Sequence, residues 1–216
     1  SHTPIGAVEQ YRLDLEVAGD LTIAPGGAVS VTGCGFANGY GPGKSIASGY
    51  GASHGGHGAG NVAADLGNGA YGSIHTPTNA GSGGSGSPYY SRSGGGIVRL
   101  RVSGILHNDG VVDADAFDWD YYTGAGGSLW ITAGAVEGIG VFRANGGAVT
   151  GYTPGAGGRI ALTVTNAGAT VGAFQGAFEA RGGALGSSYR DRIAGAGTIY
   201  LRNADQAWNE GTLLID

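Results

Sequence analysis

Apolar and polar residues alternate along several short stretches of the chain, and most of these stretches follow one or two glycines. Residues 95–102 read Gly-Gly-Ile-Val-Arg-Leu-Arg-Val, and the pattern returns at 126–132, 157–164 and 197–202. Residues 13–17, Leu-Asp-Leu-Glu-Val, fit as a first copy. Successive side chains of a β-strand point to opposite faces, so this alternation predicts strands with one buried face.

The copies recur at a nearly fixed interval, which is 31 residues from Val98 to Leu129, 31 from Leu129 to Ile160 and 39 from Ile160 to Ile199. A second strand pattern follows at residues 27–32, 110–115, 140–145 and 176–181. Between the two patterns a third short strand is predicted at 21–23, 105–106, 135–136 and 170–171. Three strands in each interval of about 30 residues are typical of a solenoid. We therefore predict an all-β fold, a right-handed parallel β-helix of about five coils forming one domain over residues 1–216.

The alternation also assigns side chains to faces and, through stacking, to neighbours. In the first pattern Val98, Leu129, Ile160 and Ile199 form an inward column, with Leu13 at its start. In the second pattern the inward column is Val29, Val112, Phe142 and Phe178. The outward ladders are Asp14, Arg99, Trp130, Ala161, Tyr200; Glu16, Arg101, Thr132, Thr163, Arg202; Ser30, Asp113, Arg143, Glu179; and Thr32, Asp115, Asn145, Arg181. Unlike charges become neighbours in these ladders, and Trp130 and Tyr200 are expected to be exposed.

Extra residues interrupt the repeat at one position only, the corner after the second pattern. The insertions are residues 34–93, which are rich in glycine, and residues 117–123, 148–154 and 184–194. Equivalent corners of a solenoid stack, so all four insertions are predicted to lie on one side of the molecule.

The insertions contain nine of the eleven tyrosines, and Trp119 as well. A tyrosine or tryptophan ring combines a flat apolar surface with a polar group, which suits a sugar ring with its hydroxyls. The predicted carbohydrate-binding residues are Asp118, Trp119, Asp120, Tyr121, Tyr122, Tyr152, Tyr189, Tyr89 and Tyr90. The alternative is that the tyrosines, above all Tyr40, Tyr50 and Tyr71, pack the long insertion onto the strands.

Composition excludes several function classes. The formal charge is −5 with 11 Lys and Arg, so no basic surface for nucleic acid is expected. No apolar run is long enough for a membrane span and no export signal is visible, so the chain is interpreted as a mature segment of a longer protein. The single cysteine, Cys34, excludes an internal disulfide. A monomer is expected.

The sequence gives less support to a catalytic function. Gly51-Ala-Ser53-His-Gly55 matches the nucleophile elbow, but that motif needs a strand-to-helix turn, and glycine saturates this segment. Glycoside hydrolysis needs two carboxyl groups across the scissile bond, which Asp113, Asp115, Asp118 and Asp120 would supply. A polysaccharide lyase or hydrolase therefore remains an alternative function.

No cofactor is predicted to be required, and two sets of residues are candidate metal ligands. His54, His57, Asp65 and His75 lie in the long insertion, where a metal would help to order the chain. Asp118 and Asp120, with neighbouring backbone carbonyls, are candidate ligands for Ca²⁺, which takes oxygen ligands in irregular geometry.

The glycine-pair strands, such as Ala156-Gly-Gly-Arg-Ile-Ala-Leu162, and the aromatic corner resemble the pectin-lyase-like β-helix superfold. More narrowly, they resemble the family of carbohydrate-binding modules of that fold that bind xylan, over residues 13–202. The resemblance implies a secreted, non-catalytic module that binds a plant or algal polysaccharide. It also implies a catalytic glycoside hydrolase domain tethered to the module. A structural or adhesin segment of a surface protein is a further alternative.

Overall fold

The computed structural model describes residues 6–9, 12–44, 49–60, 69–86, 92–186 and 193–216. Within these ranges the chain is mostly β, and the one helical element is a 3₁₀ turn at Val171–Ala173. None of the helical structure in these ranges has the length and apolarity that crossing a membrane requires. The strands are β1 Leu13–Val17, β2 Leu21–Ile23, β3 Ala28–Ser30, β4 Ile97–Asn108, β5 Val111–Asp113, β6 Ser128–Glu137, β7 Val141–Arg143, β8 Arg159–Val164, β9 Ala177–Glu179, β10 Thr198–Arg202 and β11 Thr212–Ile215.

The strands form two sheets. The seven-stranded sheet has the order β1-β4-β6-β8-β10-β11, with β2 also paired to β4, and the four-stranded sheet has the order β3-β5-β7-β9. Every pair in these sheets is parallel except β10 with β11, which is antiparallel. In each sheet, therefore, a strand lies beside the strand from the next copy of the sequence repeat.

The predicted registers of both strand patterns are confirmed. Val98 pairs with Leu129 and Leu129 with Ile160, and all three side chains are fully buried. In the other sheet Phe142 pairs with Phe178, and their rings stack with centroids 5.4 Å apart. Burial of each such side chain stabilises the fold by about 1.5–3 kcal/mol, so these inward columns are the main core.

The charged outward neighbours are confirmed as well. Asp14 pairs with Arg99 and Glu16 with Arg101, and the Arg101 guanidinium lies 2.6 Å from the Glu16 carboxylate. The Arg99 guanidinium lies over the Trp130 ring, 4.1 Å from its centroid. These partly exposed pairs each contribute a few tenths to about 1 kcal/mol, but they also disfavour a shifted register.

The predicted strand at residues 170–171 is wrong. β8 ends at Val164, and Gly168, with a φ of 77°, turns the chain before the 3₁₀ turn begins at Val171. The Val171 N–H donates to Oδ1 of Asn203 at 2.9 Å. The Asn203 side chain thus supplies a hydrogen bond here, whereas the equivalent residues of β4 and β6 pair with a neighbouring strand.

The prediction that Tyr200 is exposed is also wrong. Only 3% of Tyr200 is accessible to solvent, because the imidazole of His75 packs edge-on against its ring at 4.4 Å. The Tyr200 hydroxyl donates to the Trp208 carbonyl at 2.7 Å. Part of the long insertion and the segment before β11 therefore cover the outward face of β10, whereas Trp130 remains half-buried.

The described part of the long insertion lies against the glycine pairs of the repeat. The Gly55 N–H donates to the Gly157 carbonyl at 2.9 Å, and the Ala156 N–H donates to the Ala52 carbonyl at 2.9 Å. A Cβ on Gly51 would lie 1.9 Å from the Pro154 carbonyl oxygen, so only glycine fits there. The glycines of the corner thus allow two backbones to meet directly and exchange hydrogen bonds.

Candidate functional site

Three of the four insertions lie side by side, as predicted. Trp119 forms a parallel bridge with Val149, and Val149 forms one with Leu185. The Trp119 N–H donates to the Ala148 carbonyl at 3.0 Å, and the Val149 N–H to the Ala184 carbonyl at 2.9 Å. The edge formed by residues 117–123, 148–154 and 184–186 is called the corner edge below.

Asp118 and Asp120 link neighbouring insertions of the corner edge. Oδ1 of Asp118 accepts the Ala148 N–H at 2.8 Å, and Oδ1 of Asp120 accepts the Thr150 hydroxyl at 2.9 Å. Both aspartates are exposed. Each carboxylate therefore supports the backbone of the next insertion and also reaches solvent.

Tyr121, Tyr122 and Tyr152 form a compact aromatic cluster. The ring centroids are 4.9 Å apart for Tyr121 and Tyr152, 5.3 Å for Tyr122 and Tyr152, and 6.4 Å for Tyr121 and Tyr122. The rings are tilted against one another by 30° to 68° and do not form a flat row. Tyr152 is the most exposed of the three, so it is the ring best placed to meet a ligand.

Trp119 has a neighbour that the sequence pattern did not indicate. The guanidinium carbon of Arg92 lies 3.2 Å from the centroid of its ring, a cation–π contact. Arg92 lies near the end of the long insertion, outside the repeat, so the repeat pattern does not predict its contact with Trp119. One face of the half-buried indole is therefore occupied by protein.

A groove of about 580 Å³ runs beside the corner edge, just beyond the carboxyl ends of β3, β5, β7 and β9. Phe117 is its exposed ring, with 47% of its surface accessible. The lining residues are Thr32, Asp115, Ala116, Phe117, Asp118, Arg143, Asn145, Gly146, Ala148, Arg181, Gly182, Gly183 and Ala184. Each successive pass of the chain contributes residues to the groove, so the groove runs across the strands.

A smaller pocket of about 330 Å³ adjoins this groove, since Asp118 and Ala148 line both. Its other walls are Trp119, Asp120, Val149 and Thr150. The predicted residues Asp118, Trp119 and Asp120 are therefore brought together in one recess, next to the aromatic cluster. Phe117 belongs to the same aromatic segment, residues 117–122, and lines the groove, although it is not among the predicted carbohydrate-binding residues.

Asp115 is a groove residue whose pKa is shifted by burial. Its Oδ1 accepts the Asn145 N–H at 2.6 Å, and its Oδ2 lies 2.8 Å from Nε of Arg143. Burial raises the pKa of Asp115 to about 6, and the negative charges of Asp113 and Glu179 act in the same direction. The groove thus contains a carboxyl group that changes charge near pH 6, beside a permanent cation.

Several predicted residues are placed differently or lie outside the described ranges. Tyr89, Tyr90, Tyr189 and Asp65 lie outside them. Tyr71 supports the packing alternative, since its hydroxyl donates to the Ala80 carbonyl at 2.6 Å.

Ser53 and His54 belong to the buried contact between the long insertion and the corner. Ser53 is fully buried and its Oγ accepts the Gly58 N–H at 2.9 Å, so substrate has no access to it. Nδ1 of His54 donates to the Gly126 carbonyl at 2.7 Å, and burial lowers the pKa of His54 to about 4. In the described part of the chain no group of three or more His, Cys, Asp and Glu side chains is arranged to hold a metal ion.

Comparison with known proteins finds no matching family model, no matching curated protein and no matching solved structure. The resemblance to β-helical xylan-binding modules therefore stays a prediction from the residues.

Proposed function

We propose that the two sheets are walls of a right-handed parallel β-helix of about five coils. The support is the regular parallel pairing of each strand with the strand one repeat later, in both sheets and in the predicted registers. Each repeat passes from one sheet to the other and back, for example from β4 through β5 to β6. The insertions of the corner edge then follow the stacking direction.

We further propose that the protein is a non-catalytic module that binds a polysaccharide, with xylan favoured, along the corner edge. The observation that carries this proposal is the groove of about 580 Å³, which four successive chain passes line. Adjacent strands are about 4.8 Å apart, so four passes provide about 14 Å of continuous groove. A linear polymer is the ligand that uses such a shape.

The chemistry of the lining favours a neutral sugar chain. The two acidic side chains, Asp115 and Asp118, are balanced by Arg143 and Arg181. Phe117 offers an apolar ring, while Asn145 and the carboxylates offer hydrogen bonds to hydroxyl groups. The adjoining pocket adds Trp119, Asp120 and Thr150, so an apolar platform alternates with polar groups along the path.

In this proposal the module is secreted, monomeric and tethered to a catalytic glycoside hydrolase domain. It requires no cofactor, and Ca²⁺ bound by Asp118 and Asp120 would act only to order the corner edge. These features rest on the family resemblance and on the residues named.

The experiment is affinity electrophoresis of the purified chain in gels that contain xylan, a soluble cellulose derivative, pectin or alginate. We expect xylan to retard the wild-type protein. Phe117→Ala, Trp119→Ala and Tyr122→Ala should each weaken binding by at least about tenfold, since buried aromatic anchors dominate such interfaces. Circular dichroism should be unchanged in the three variants.

Tyr40→Ala is the matched control, because Tyr40 is an exposed ring that lies outside the corner edge and its aromatic cluster and lines neither recess. It should be retarded like the wild type. Equal retardation of the Phe117, Trp119 and Tyr122 variants would move the site elsewhere. No retardation in any gel would contradict the binding function and favour the structural or adhesin alternative.

A polysaccharide lyase or hydrolase using the same groove is the second candidate. Asp115, whose pKa is about 6, and the Arg143 guanidinium 2.8 Å away are the observation in its favour. A carboxyl group with a raised pKa is suited to acid or base catalysis at neutral pH. Assays of reducing ends and of unsaturated products, run on wild type and Asp115→Asn, distinguish this candidate. Product from the wild type alone would favour it over simple binding.

A further inference from the structure

A separate recess lies on the outward face of β6, β8 and β10, away from the corner edge. It has a volume of about 210 Å³, and Trp130 and Trp208 are among its walls. Sites for drug-sized ligands are commonly about 300–1,000 Å³, so this recess suits a single ring. It is called the indole pocket below.

The indole rings of this pocket are held in place. Arg99 lies 4.1 Å from the centroid of Trp130, and the imidazole of His75 packs edge-on against Trp208 with centroids 5.2 Å apart. His75 is itself fixed against the buried ring of Tyr200 at 4.4 Å. Trp208 is nevertheless 68% exposed, so much of its surface faces solvent although its position is defined. Two preorganised aromatic surfaces are typical of a site for a ligand with C–H faces.

Polar groups line the same pocket on consecutive strands. Thr132 of β6 pairs with Thr163 of β8, and Thr163 pairs with Arg202 of β10. The three side chains therefore form one outward ladder, spaced by about 4.8 Å. Two hydroxyls and a guanidinium in a row can bind ring hydroxyls and one acidic group.

The charge of the indole pocket favours a ligand that has an acidic group. None of its lining residues is Asp or Glu, and Arg202 is its one permanent cation. The described residues give Arg202 no carboxylate partner, and one hydrogen bond, from Nη1 to the Gln206 carbonyl at 3.0 Å, orients it. A guanidinium has five N–H donors and binds a carboxylate with two of them at once.

We propose that the indole pocket binds a single sugar ring that bears a carboxylate, a hexuronate unit. The ring lies between the surfaces of Trp130 and Trp208, its hydroxyls meet Thr132 and Thr163, and its carboxylate meets Arg202. This site does not depend on the corner edge, so it stands whether or not the groove there binds xylan.

The test is titration of the whole chain with methyl galacturonoside and methyl glucuronoside, each against its neutral hexose counterpart, followed by tryptophan fluorescence and isothermal calorimetry. We expect both uronosides to bind at least about tenfold more tightly than the neutral sugars, since a hydrogen bond to a charged group contributes at least one such factor. Arg202→Gln should abolish this preference. Trp208→Ala should abolish binding of all four sugars.

Trp119→Ala is the control for the site, because it removes an indole of the corner edge, and it should bind the uronosides like the wild type. Circular dichroism of Trp208→Ala should be unchanged, since the ring is largely exposed and Tyr200 bonds only its backbone. Uronosides bound no more tightly than neutral sugars would overturn the proposal. So would binding that survives both Arg202→Gln and Trp208→Ala.

Discussion

At the scale of single residues, burial shifts the pKa values of two ionisable groups, Asp115 and His54, in the direction that favours their neutral forms. Burial raises the pKa of Asp115 to about 6 and lowers that of His54 to about 4. In both cases the charged form is the one that loses hydration. The two residues therefore make stability depend on pH in opposite directions.

Asp115 should make the fold less stable as pH rises. The pKa of Asp115 in the folded state is above the value of 3.8 for the unfolded chain. Its contribution to the free energy of unfolding is therefore complete below pH 3.8 and is lost as the pH rises through about 6. The free energy of unfolding of wild type minus that of Asp115→Asn should fall by roughly 2–3 kcal/mol between pH 4 and 7. Urea unfolding of both proteins at each pH measures this difference. Parallel pH curves would contradict the assignment.

His54 should have the reverse effect. The pKa of His54 in the folded state is below the value of 6.5 for the unfolded chain. Its contribution to the free energy of unfolding is therefore complete above pH 6.5 and is lost as the pH falls through about 4. The stability of wild type relative to His54→Asn should drop by about 3 kcal/mol over that range. Asparagine retains a donor for the Gly126 carbonyl but does not titrate, which makes it the matched variant. A pH-independent difference would refute this explanation.

At the scale of elements, the contact between the long insertion and the corner is made by backbone. The Gly55 and Ala156 N–H groups donate across it, and Ala52 has no exposed surface. A side chain larger than hydrogen at a contact glycine must separate the two backbones. Glycine content that looks like low complexity is therefore a packing requirement at this corner.

Gly51→Ala should separate the long insertion from the corner. The new Cβ would lie 1.9 Å from the Pro154 carbonyl oxygen, which is backbone and cannot move alone. We expect a loss of unfolding free energy of about 1–3 kcal/mol, the usual cost of overpacking. Amide hydrogen exchange at Ala52 and Ala59 should also accelerate. Gly19→Ala is the control, because no atom lies within 4 Å of its Cβ position and its φ is not positive, and it should stay within about 0.5 kcal/mol of wild type.

The strands themselves were largely predictable from the sequence. The inward positions of β4, β6 and β8 follow from alternation, and their registers follow from the interval of 31 residues. The 3₁₀ turn at Val171–Ala173 and the antiparallel β11 were not predicted. β11 follows the last copy of the repeat, so no neighbouring copy specifies its pairing, whereas the 3₁₀ turn lies within the repeat, where Gly168 turns the chain and the Asn203 side chain takes the place of a strand partner.

At the scale of the whole molecule, the groove beside the corner edge exists only because successive chain passes stack in register. Thr32, Asp115 and Asn145 are 83 and 30 residues apart in sequence but line one recess. Each pass adds one row of side chains. Under the proposed function, the length of the groove, and not any single residue, then sets how many sugar units of a polymer it contacts.

Affinity for xylo-oligosaccharides should therefore increase with chain length until the groove of about 14 Å is filled, and then level off. Each added sugar gains contacts with the next pass of the chain without a further loss of overall translational and rotational freedom. Calorimetric titration with a series from xylobiose to xylohexaose measures this dependence. The same affinity across the series would indicate a site for one ring, and would contradict the extended groove.

The sequence by itself determined the alternation, the repeat interval and the place where the insertions occur, because these depend on strand geometry and on contacts between equivalent positions. It also specified which charges become neighbours, such as Asp14 and Arg99. Only the tertiary structure decided which face of a strand the long insertion covers, that Arg92 lies on Trp119, and how deeply Asp115 is buried. Those contacts join segments that do not repeat, so no periodic pattern encodes them, and their energies depend on distance and exclusion of water.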